Sequence, residues 1–399
     1  MNRRRVTSYD VAKLAGVSRS TVSFVLNNVD MQISDETKQR VLSAAAELGY
    51  APDAAAQALV SRRTRIIGLV LTRRPHHIDA DIFLTQVLDG LIETTQKHTM
   101  RLLLDLVEET GTESTYQQLI QSKRIDGLII SGPRTENTAL RSLVEEGFPL
   151  VLMGQLPDPD FCYVDVDNRA AARRAVEHLV SLGHTRLGCL TNANPSYTAA
   201  TQRLQGFCDA LEAHGIHRRD EWVRYGDFTP DSGHEQMSLL LAAPARPDAV
   251  FVASDVVAFG AMAAIRERGL CIPQDMAIVG FDDVPLARYA TPPLTTAHLP
   301  AADLGRQAGE MLIQLIQGEW PAARHLLLDT SLVVRESCGA AMGAPGRTTA
   351  GAFQPSRLSS RPHGADDVTL EGGDAQAQNP RRGIDASQLE CATNASQPH

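Results

Sequence analysis

Residues 7–28 read TSYDVAKLAGVSRSTVSFVLNN, and residues 33–60 read ISDETKQRVLSAAAELGYAPDAAAQALV. Thr7 stands where a helix begins, and Asp10 falls in the first turn, where a carboxylate satisfies exposed N–H groups and favours the positive end of the dipole. Tyr9, Val11, Ala12, Leu14 and Ala15 supply apolar packing for this short helix. Gly16 can take the positive φ of a tight turn, and Val17 fills the space between two helices. Ser18 caps the second helix, which buries Val22, Val25 and Leu26 and presents Arg19, Ser20, Ser23 and Asn27 on its other face. A third helix opens at Ser34 with Asp35 and Glu36 in its first turn, buries Val41, Leu42, Ala45 and Leu48, and stops at Gly49. Any one of these segments alone reads as an ordinary amphipathic helix. Three in succession around an Ala-Gly-Val turn read as a helix-turn-helix whose second helix reaches base edges and phosphates.

Charge follows the same division. Residues 1–65 hold ten Lys/Arg (Arg3, Arg4, Arg5, Lys13, Arg19, Lys38, Arg40, Arg62, Arg63, Arg65) and six acids (Asp10, Asp30, Asp35, Glu36, Glu47, Asp53), whereas the whole chain carries a net −9. A basic head on an acidic body directs phosphates to one end.

A chain of 399 residues with 43% hydrophobic content supports two or three domains. The cysteines at 162, 189, 208, 271, 338 and 391 have neither CxxC nor paired metal spacing, which points to a reducing, cytoplasmic setting without a zinc site. No apolar run reaches membrane-spanning length and the N-terminus has no apolar signal segment, so a soluble protein is expected. The motifs GxxxxGK[ST], GxSxG and HExxH are absent, and His76-His77 lies in a polar loop, where adjacent histidines are usually solvated. Neither an enzyme nor a cofactor or metal is expected. From about residue 340 the composition turns to Gly, Ala, Pro, Ser and Gln without apolar periodicity, and a disordered tail over 339–399 is expected.

Between 66 and 338 short apolar runs alternate with amphipathic helices. Strands are predicted at 66–71, 101–106, 127–131, 150–153, 163–166, 186–190, 249–252, 276–281 and 326–334, with helices such as 83–99, 169–182, 202–214 and 257–268. This spacing gives parallel α/β sheets, and the length suits two lobes. Ligands of such sheets bind beyond the carboxyl ends of the strands. There the sequence places Phe83, the loop 192–201 leading to Arg203, then Phe228, Ser254, Asp255 and Asp282. Singly, Arg203 reads equally as a helix-cap partner, Phe228 as core and Asp282 as a turn residue. Together, a flat ring, an arginine and carboxylates suit a neutral polyhydroxylated ligand.

The stretch resembles the headpiece of the lactose/galactose repressor (LacI/GalR) family, through VSxxTVSxxLN at 17–27 and Gly49-Tyr50-x-Pro52. The resemblance implies an α/β two-lobed, periplasmic-binding-protein-like sensor core behind an N-terminal all-α helix-turn-helix head. The implied divisions are a head at 1–49, a hinge at 50–65 and a two-lobed, dimerising effector domain at 66–338 with crossovers near 165, 295 and 325. In the hinge, 52–59, Ala-rich composition favours helix, but about eight residues are too few to be stable alone, so coil off DNA and helix on DNA are expected. The resemblance implies that paired hinge helices enter the minor groove and that Leu59 wedges into a base step. Asp53 departs from the asparagine usual there. The DNA-facing set so implied is Thr7, Ser18, Arg19, Ser20, Thr21, Ser23, Phe24, Asn27, Ser34, Tyr50, Ala56, Gln57 and Leu59, with Arg19 and Ser20 on base edges and Phe24 in place of an arginine.

Effector-binding positions match residue by residue: Arg203 in R-x-x-G-F, Phe228 in D-[WF], Asp282 in G-[FY]-D-D, Ser254 before Asp255 in [NS]-D, and Phe83 as a second aromatic. Gly154-Gln155 stands where relatives often place an acidic or arginine contact. The implied function is a homodimeric regulator, a repressor, that binds a palindromic double-stranded operator under control of a small effector. That effector reads as a sugar, with a purine or nucleoside as the alternative. A solute-binding protein without regulation is the reading from another class, and the head argues against it.

Overall fold

The computed structural model describes residues 6–26, 31–51, 63–72, 81–107, 116, 120, 124–135 and 139–340. Three helices form the head: α1 (Ser8–Ala15), α2 (Arg19–Leu26) and α3 (Asp35–Leu48). The Asp10 carboxylate accepts from the Thr7 backbone N–H at 2.9 Å and from its hydroxyl at 2.7 Å. Ser18 Oγ accepts from the Thr21 N–H at 3.0 Å, and Ser34 Oγ from the Thr37 N–H at 3.3 Å. Gly16 (φ 65°) and Gly49 (φ 60°) end α1 and α3 in the left-handed conformation. The shared core is Val11, Ala12, Ala15, Val22, Val41, Ala44 and Ala45, with Val25, Leu26 and Leu48 packed against it.

Three expected core residues are solvent-facing instead: Tyr9, Leu14 and Leu42 are exposed. An eight-residue helix turns only one narrow stripe inward, which positions 11, 12 and 15 occupy, and on α3 the stripe 41, 44, 45, 48 puts Ala44 where Leu42 was expected.

The body holds two sheets. Lobe 1 is built from β1 (Ile66–Leu71), α4 (Ile82–Lys97), β2 (Arg101–Leu106), β3 (Gly127–Ser131), α5 (Ala139–Glu145), β4 (Leu150–Met153) and β5 (Cys162–Val166). Lobe 2 follows with α6 (Asn168–Ser181), β6 (Leu187–Thr191), α7 (Thr198–Ala213), β7 (Val223–Tyr225), α8 (Pro230–Leu241), β8 (Ala249–Val252), α9 (Asp255–Glu267), β9 (Ala277–Asp282) and β10 (Thr295–His298). The chain returns to lobe 1 for α10 (Ala301–Gln317) and β11 (His325–Leu328), then crosses back to lobe 2 for β12 (Ser331–Val333). The strand orders are β11-β5-β4-β3-β1-β2 and β12-β10-β9-β8-β6-β7. All pairs are parallel except β10 with β12. Three crossings therefore join the lobes, after β5, after β10 and between β11 and β12.

The expected single strand over 326–334 is corrected here. Asp329 and Thr330 break it, because β11 pairs with β5 of lobe 1 and β12 with β10 of lobe 2. The strands β7 and β10 were not anticipated: β7 has only three residues, and Thr-Thr-Ala-His in β10 offers little apolar signal. Where the chain enters lobe 1, the Thr64 and Arg65 N–H groups both donate to the Asp126 carboxylate at 2.7 Å.

Helices α8 and α9 approach closely beside the loop that carries Phe228. A Cβ on Gly260 would stand 1.7 Å from the Pro230 carbonyl oxygen, so the contact requires glycine. Gly260→Ala is expected to force α8 and α9 apart and to cost roughly 1–3 kcal/mol of unfolding free energy, read by chemical denaturation; wild-type stability would show that the close approach is not formed.

Candidate functional site: a cleft between the lobes

The carboxyl ends of both sheets face a cleft of about 830 Å³, part of it open to solvent. Lobe 1 contributes Asp81 and Phe83 at the start of α4, Ser131 to Pro133 at the end of β3, Met153 and Gly154 at the end of β4, and Asp165 from β5. Lobe 2 contributes Asn192 after β6, Tyr197, Thr198 and Arg203 from the start of α7, Phe228, Ser254 and Asp282. Five of the six expected effector residues, Phe83, Arg203, Phe228, Ser254 and Asp282, thus meet in one place.

Arg203 lies on the second turn of α7 with only 6% of its surface exposed. Its Nε donates to Asn168 Oδ1 at 2.9 Å, and Nη1 donates to the Ala253 carbonyl at 2.6 Å and to Asp282 Oδ1 at 3.3 Å. The guanidinium also stacks 3.8 Å from the centroid of Phe281. Burial lowers its proton affinity, opposed by the charges of Asp282 and Asp165. The carboxyl of Asp165 is pushed up to about 6 by burial, despite hydrogen bonds that favour its charged form. Those include Gln155 Nε2 at 2.9 Å and Asn168 Nδ2 at 3.1 Å. At the Gly154-Gln155 departure, the Gln155 amide is therefore turned onto Asp165, with a second donation to the Val166 carbonyl at 3.1 Å.

Backbone strain concentrates here as well. Phe228 (φ 55°), Asp282 (φ 115°) and Asp283 (φ 55°) occupy the region that favours glycine. Asp283 is held in place by Arg335 at 2.6 Å and His298 at 3.0 Å. Phe228 sits edge-on against Tyr197, with ring centroids 4.9 Å apart and planes at 81°.

The placement of Asp255 corrects the expectation. It is fully buried behind the cleft wall, and its carboxylate accepts from Thr296 Oγ1 at 2.6 Å and from the Val284 N–H at 2.9 Å. Burial, and then the neighbouring Asp282 charge, push its carboxyl well up. It anchors the β9 end that carries Asp282, while Ser254 alone of that pair lines the cleft.

Sequence reasoning did not single out Tyr197, Asn192 or Asp165. The first two lie in the irregular loop after β6, and Asp165 is hidden inside an apolar strand. The Asn192 side-chain oxygen is buried and has no hydrogen-bond partner among the described residues, which leaves an acceptor available at the cleft.

On the head, Thr7, Ser18, Arg19, Ser20 and Ser34 are exposed, and Thr21, Ser23, Phe24 and Tyr50 are half-buried. The hydroxyls of Thr7, Ser18 and Ser34 all take part in hydrogen bonds at helix starts. Asn27, Ala56, Gln57 and Leu59, with residues 52–62 of the expected hinge, lie outside the described residues, as does the stretch 341–399. Among the described residues no group of three His, Cys, Asp or Glu is placed to hold a metal, and no helix is long and apolar enough to cross a membrane.

Residues 7–53 match the model of bacterial regulatory proteins of the lacI family, and residues 176–338 match a periplasmic binding protein-like domain. The chain is 36% identical over 339 residues to the HTH-type transcriptional regulator CelR of Thermobifida fusca, an alignment covering 84% of this chain and 99% of that one. A solved CelR–cellobiose complex superposes with a TM-score of 0.64 at 34% identity, over 84% and 100% of the two chains. The HTH-type transcriptional repressor CytR of Escherichia coli is 34% identical over 83% of this chain and 96% of its own. The lac repressor dimer bound to operator and the anti-inducer ONPF gives a TM-score of 0.74 at 32% identity, covering 84% of this chain and 99% of that one. With a helix-turn-helix head ahead of two α/β lobes that enclose a polar cleft, the chain belongs to the lacI family of DNA-binding transcriptional regulators.

Proposed function

We propose that the protein is a cytoplasmic, homodimeric repressor without catalytic activity, whose grip on a palindromic operator is set by a neutral sugar bound between its lobes. The division into a head at 1–49, a hinge at 50–65, an effector domain at 66–338 and a tail at 339–399 belongs to the same reading. The observation that carries the effector assignment is the charge of the cleft, which Asp81, Asp165 and Asp282 line together with the buried Arg203 and the Phe228 ring. Carboxylates and the Asn192 oxygen accept from hydroxyls, the ring takes the apolar face of a pyranose, and a phosphorylated ligand meets three acids. The cellobiose held by CelR agrees in kind. A nucleoside is the second reading, because Phe83 and Phe228 stand in opposite lobes and suit a planar base.

A thermal-shift panel of cellobiose, monosaccharides, cytidine, adenosine and hypoxanthine separates the two. A ligand that binds only the native state at a hundred times its Kd adds about 2.7 kcal/mol of stability. A rise with sugars alone supports the proposal, and a rise with nucleosides or purines alone replaces it.

Arg203→Ala and Asp282→Ala are expected to weaken the active sugar by about 1.5–3 kcal/mol each, the range for hydrogen bonds to charged groups, while operator binding persists. Calorimetry with folded variants that bind as tightly as wild type would refute the site. The pH dependence follows from Asp165. Its carboxylate form accepts hydroxyls, so sugar affinity should be full at pH 7.5 and fall as pH drops through about 6 and the carboxyl becomes protonated. Asp165→Asn should flatten that profile.

On the head, Arg19→Ala is expected to change the preferred operator in a binding selection and to cost about 1–3 kcal/mol on the wild-type site. An unchanged preference and affinity would remove Arg19 from base readout. Thr7, Ser18, Ser20, Thr21, Ser23, Phe24, Asn27, Ser34 and Tyr50 complete the proposed DNA face. The hinge residues Ala56, Gln57 and Leu59 enter the minor groove in this reading, and Leu59→Ala should reduce the DNA bend in a gel-shift assay.

A further inference from the structure

Tyr197 is placed between the lobes in a way that the effector assignment does not use. It caps α7, the lobe 2 helix that carries Arg203, and is 4% exposed. Its hydroxyl donates to the Thr72 carbonyl at the end of β1 in lobe 1, at 2.5 Å. A phenol has one proton, so the 2.5 Å contact with Arg134 Nη2, in the loop after β3 of lobe 1, is donated by the arginine. The Arg134 guanidinium also lies 4.2 Å from the Tyr197 ring centroid, and the two residues form an isolated antiparallel bridge. Flanking contacts run the same way: the Thr135 N–H donates to the Ser196 carbonyl and the Thr198 hydroxyl to the Pro133 carbonyl, each at 3.4 Å.

We infer that Tyr197 and Arg134 are positioning residues that clasp the two lobes across the cleft. The clasp joins closure to the effector-stacking ring, because the side chain that reaches Thr72 and Arg134 is the one whose ring edge rests on Phe228. Lobe 1 opening away from lobe 2 breaks both hydroxyl contacts and takes the Arg134 guanidinium, here 8% exposed, away from its tyrosine. A ligand under Phe228 adds to an arrangement that these residues already favour, so the clasp sets how much of the ligand's binding energy closure consumes. This inference deepens the effector reading of the same cleft, but the lobe contact itself requires no ligand.

The test uses the ligand-free full-length chain and amide hydrogen exchange in wild type, Tyr197→Phe, Arg134→Gln and the double variant. Tyr197→Phe keeps the ring on Phe228 and removes the hydroxyl. It should speed exchange in segments 127–135 and 192–201 by roughly five- to tenfold, the scale of one or two hydrogen bonds, with β9 and α9 unchanged. Arg134→Gln should do the same, and the effects should not multiply in the double variant, since Tyr197→Phe already removes the hydroxyl to which Arg134 donates. Wild-type exchange in Tyr197→Phe, or effects of the two substitutions that multiply in the double variant, overturns the clasp. Cellobiose added to the four proteins then reports on the effector reading separately: failure to bind wild type bears on the ligand and leaves the exchange result standing.

Discussion

A guanidinium removed from water is tolerable only when its donors and its charge are met inside the protein. Arg203 meets that demand by drawing on three elements at once. Asn168 opens α6, Ala253 follows β8, Asp282 ends β9 and Phe281 lies beneath the charge. The helix that carries Arg203, the two strand ends and the first crossing between the lobes are thereby fixed to one point. Asp165 adds a longer reach, since Asn168 bonds both Arg203 and the carboxylate at the end of β5 in lobe 1. The polar centre of the cleft is thus also the place where the lobes are tied together. A ligand that alters the balance around Arg203 acts on the geometry of the whole body.

The head and the body were legible for different reasons. The head obeys local rules: a cap, a stripe, a left-handed glycine, repeated within about 40 residues, so Thr7, Gly16, Ser18, Ser34 and Gly49 mark the helix ends where the structure has them. Its errors were of facing. Tyr9, Leu14 and Leu42 are apolar and exposed because a small three-helix core has no room for them, and periodicity alone assigns no capacity to a core. In the body, buried parallel strands stand out as apolar runs, and their ends point to the cleft. The strand pair at 325–333 could not be separated in this way, because a change of sheet within one apolar run leaves no compositional trace.

The candidate site shows the same boundary between what sequence carries and what only packing decides. Arg203, Phe228, Ser254 and Asp282 sit in short motifs at strand and helix ends, and the structure brings them to one cleft. Asp255 shares a motif with Ser254 yet faces the opposite way, because the first residue of α9 turns inward to bind Thr296 and the Val284 N–H. Adjacent residues at a strand-to-helix turn point in different directions, and spacing by itself does not say which one faces the ligand. Tyr197 escaped notice because its significance is relational: it depends on Thr72 and Arg134, which lie 125 and 63 residues away in sequence.

Strain and charge in the cleft support each other. Phe228 and Asp282 hold positive φ values that cost of order 1–3 kcal/mol each and persist only where surrounding contacts over-determine them. For Asp282 those contacts are Arg203 on one side and, through Asp283, Arg335 and His298 on the other. For Phe228 they are the Tyr197 ring and the N–H donation from Phe228 to the Asn192 carbonyl at 2.8 Å. Each strained residue is therefore held from lobe 2 and aimed into the space that lobe 1 closes. A half-site so held presents the Phe228 ring and the Asp282 carboxylate in fixed positions toward lobe 1. In the proposed function, effector binding drives lobe 1 toward this half-site, and the three crossings carry that movement to the end of the body where Thr64 and Arg65 are held by Asp126.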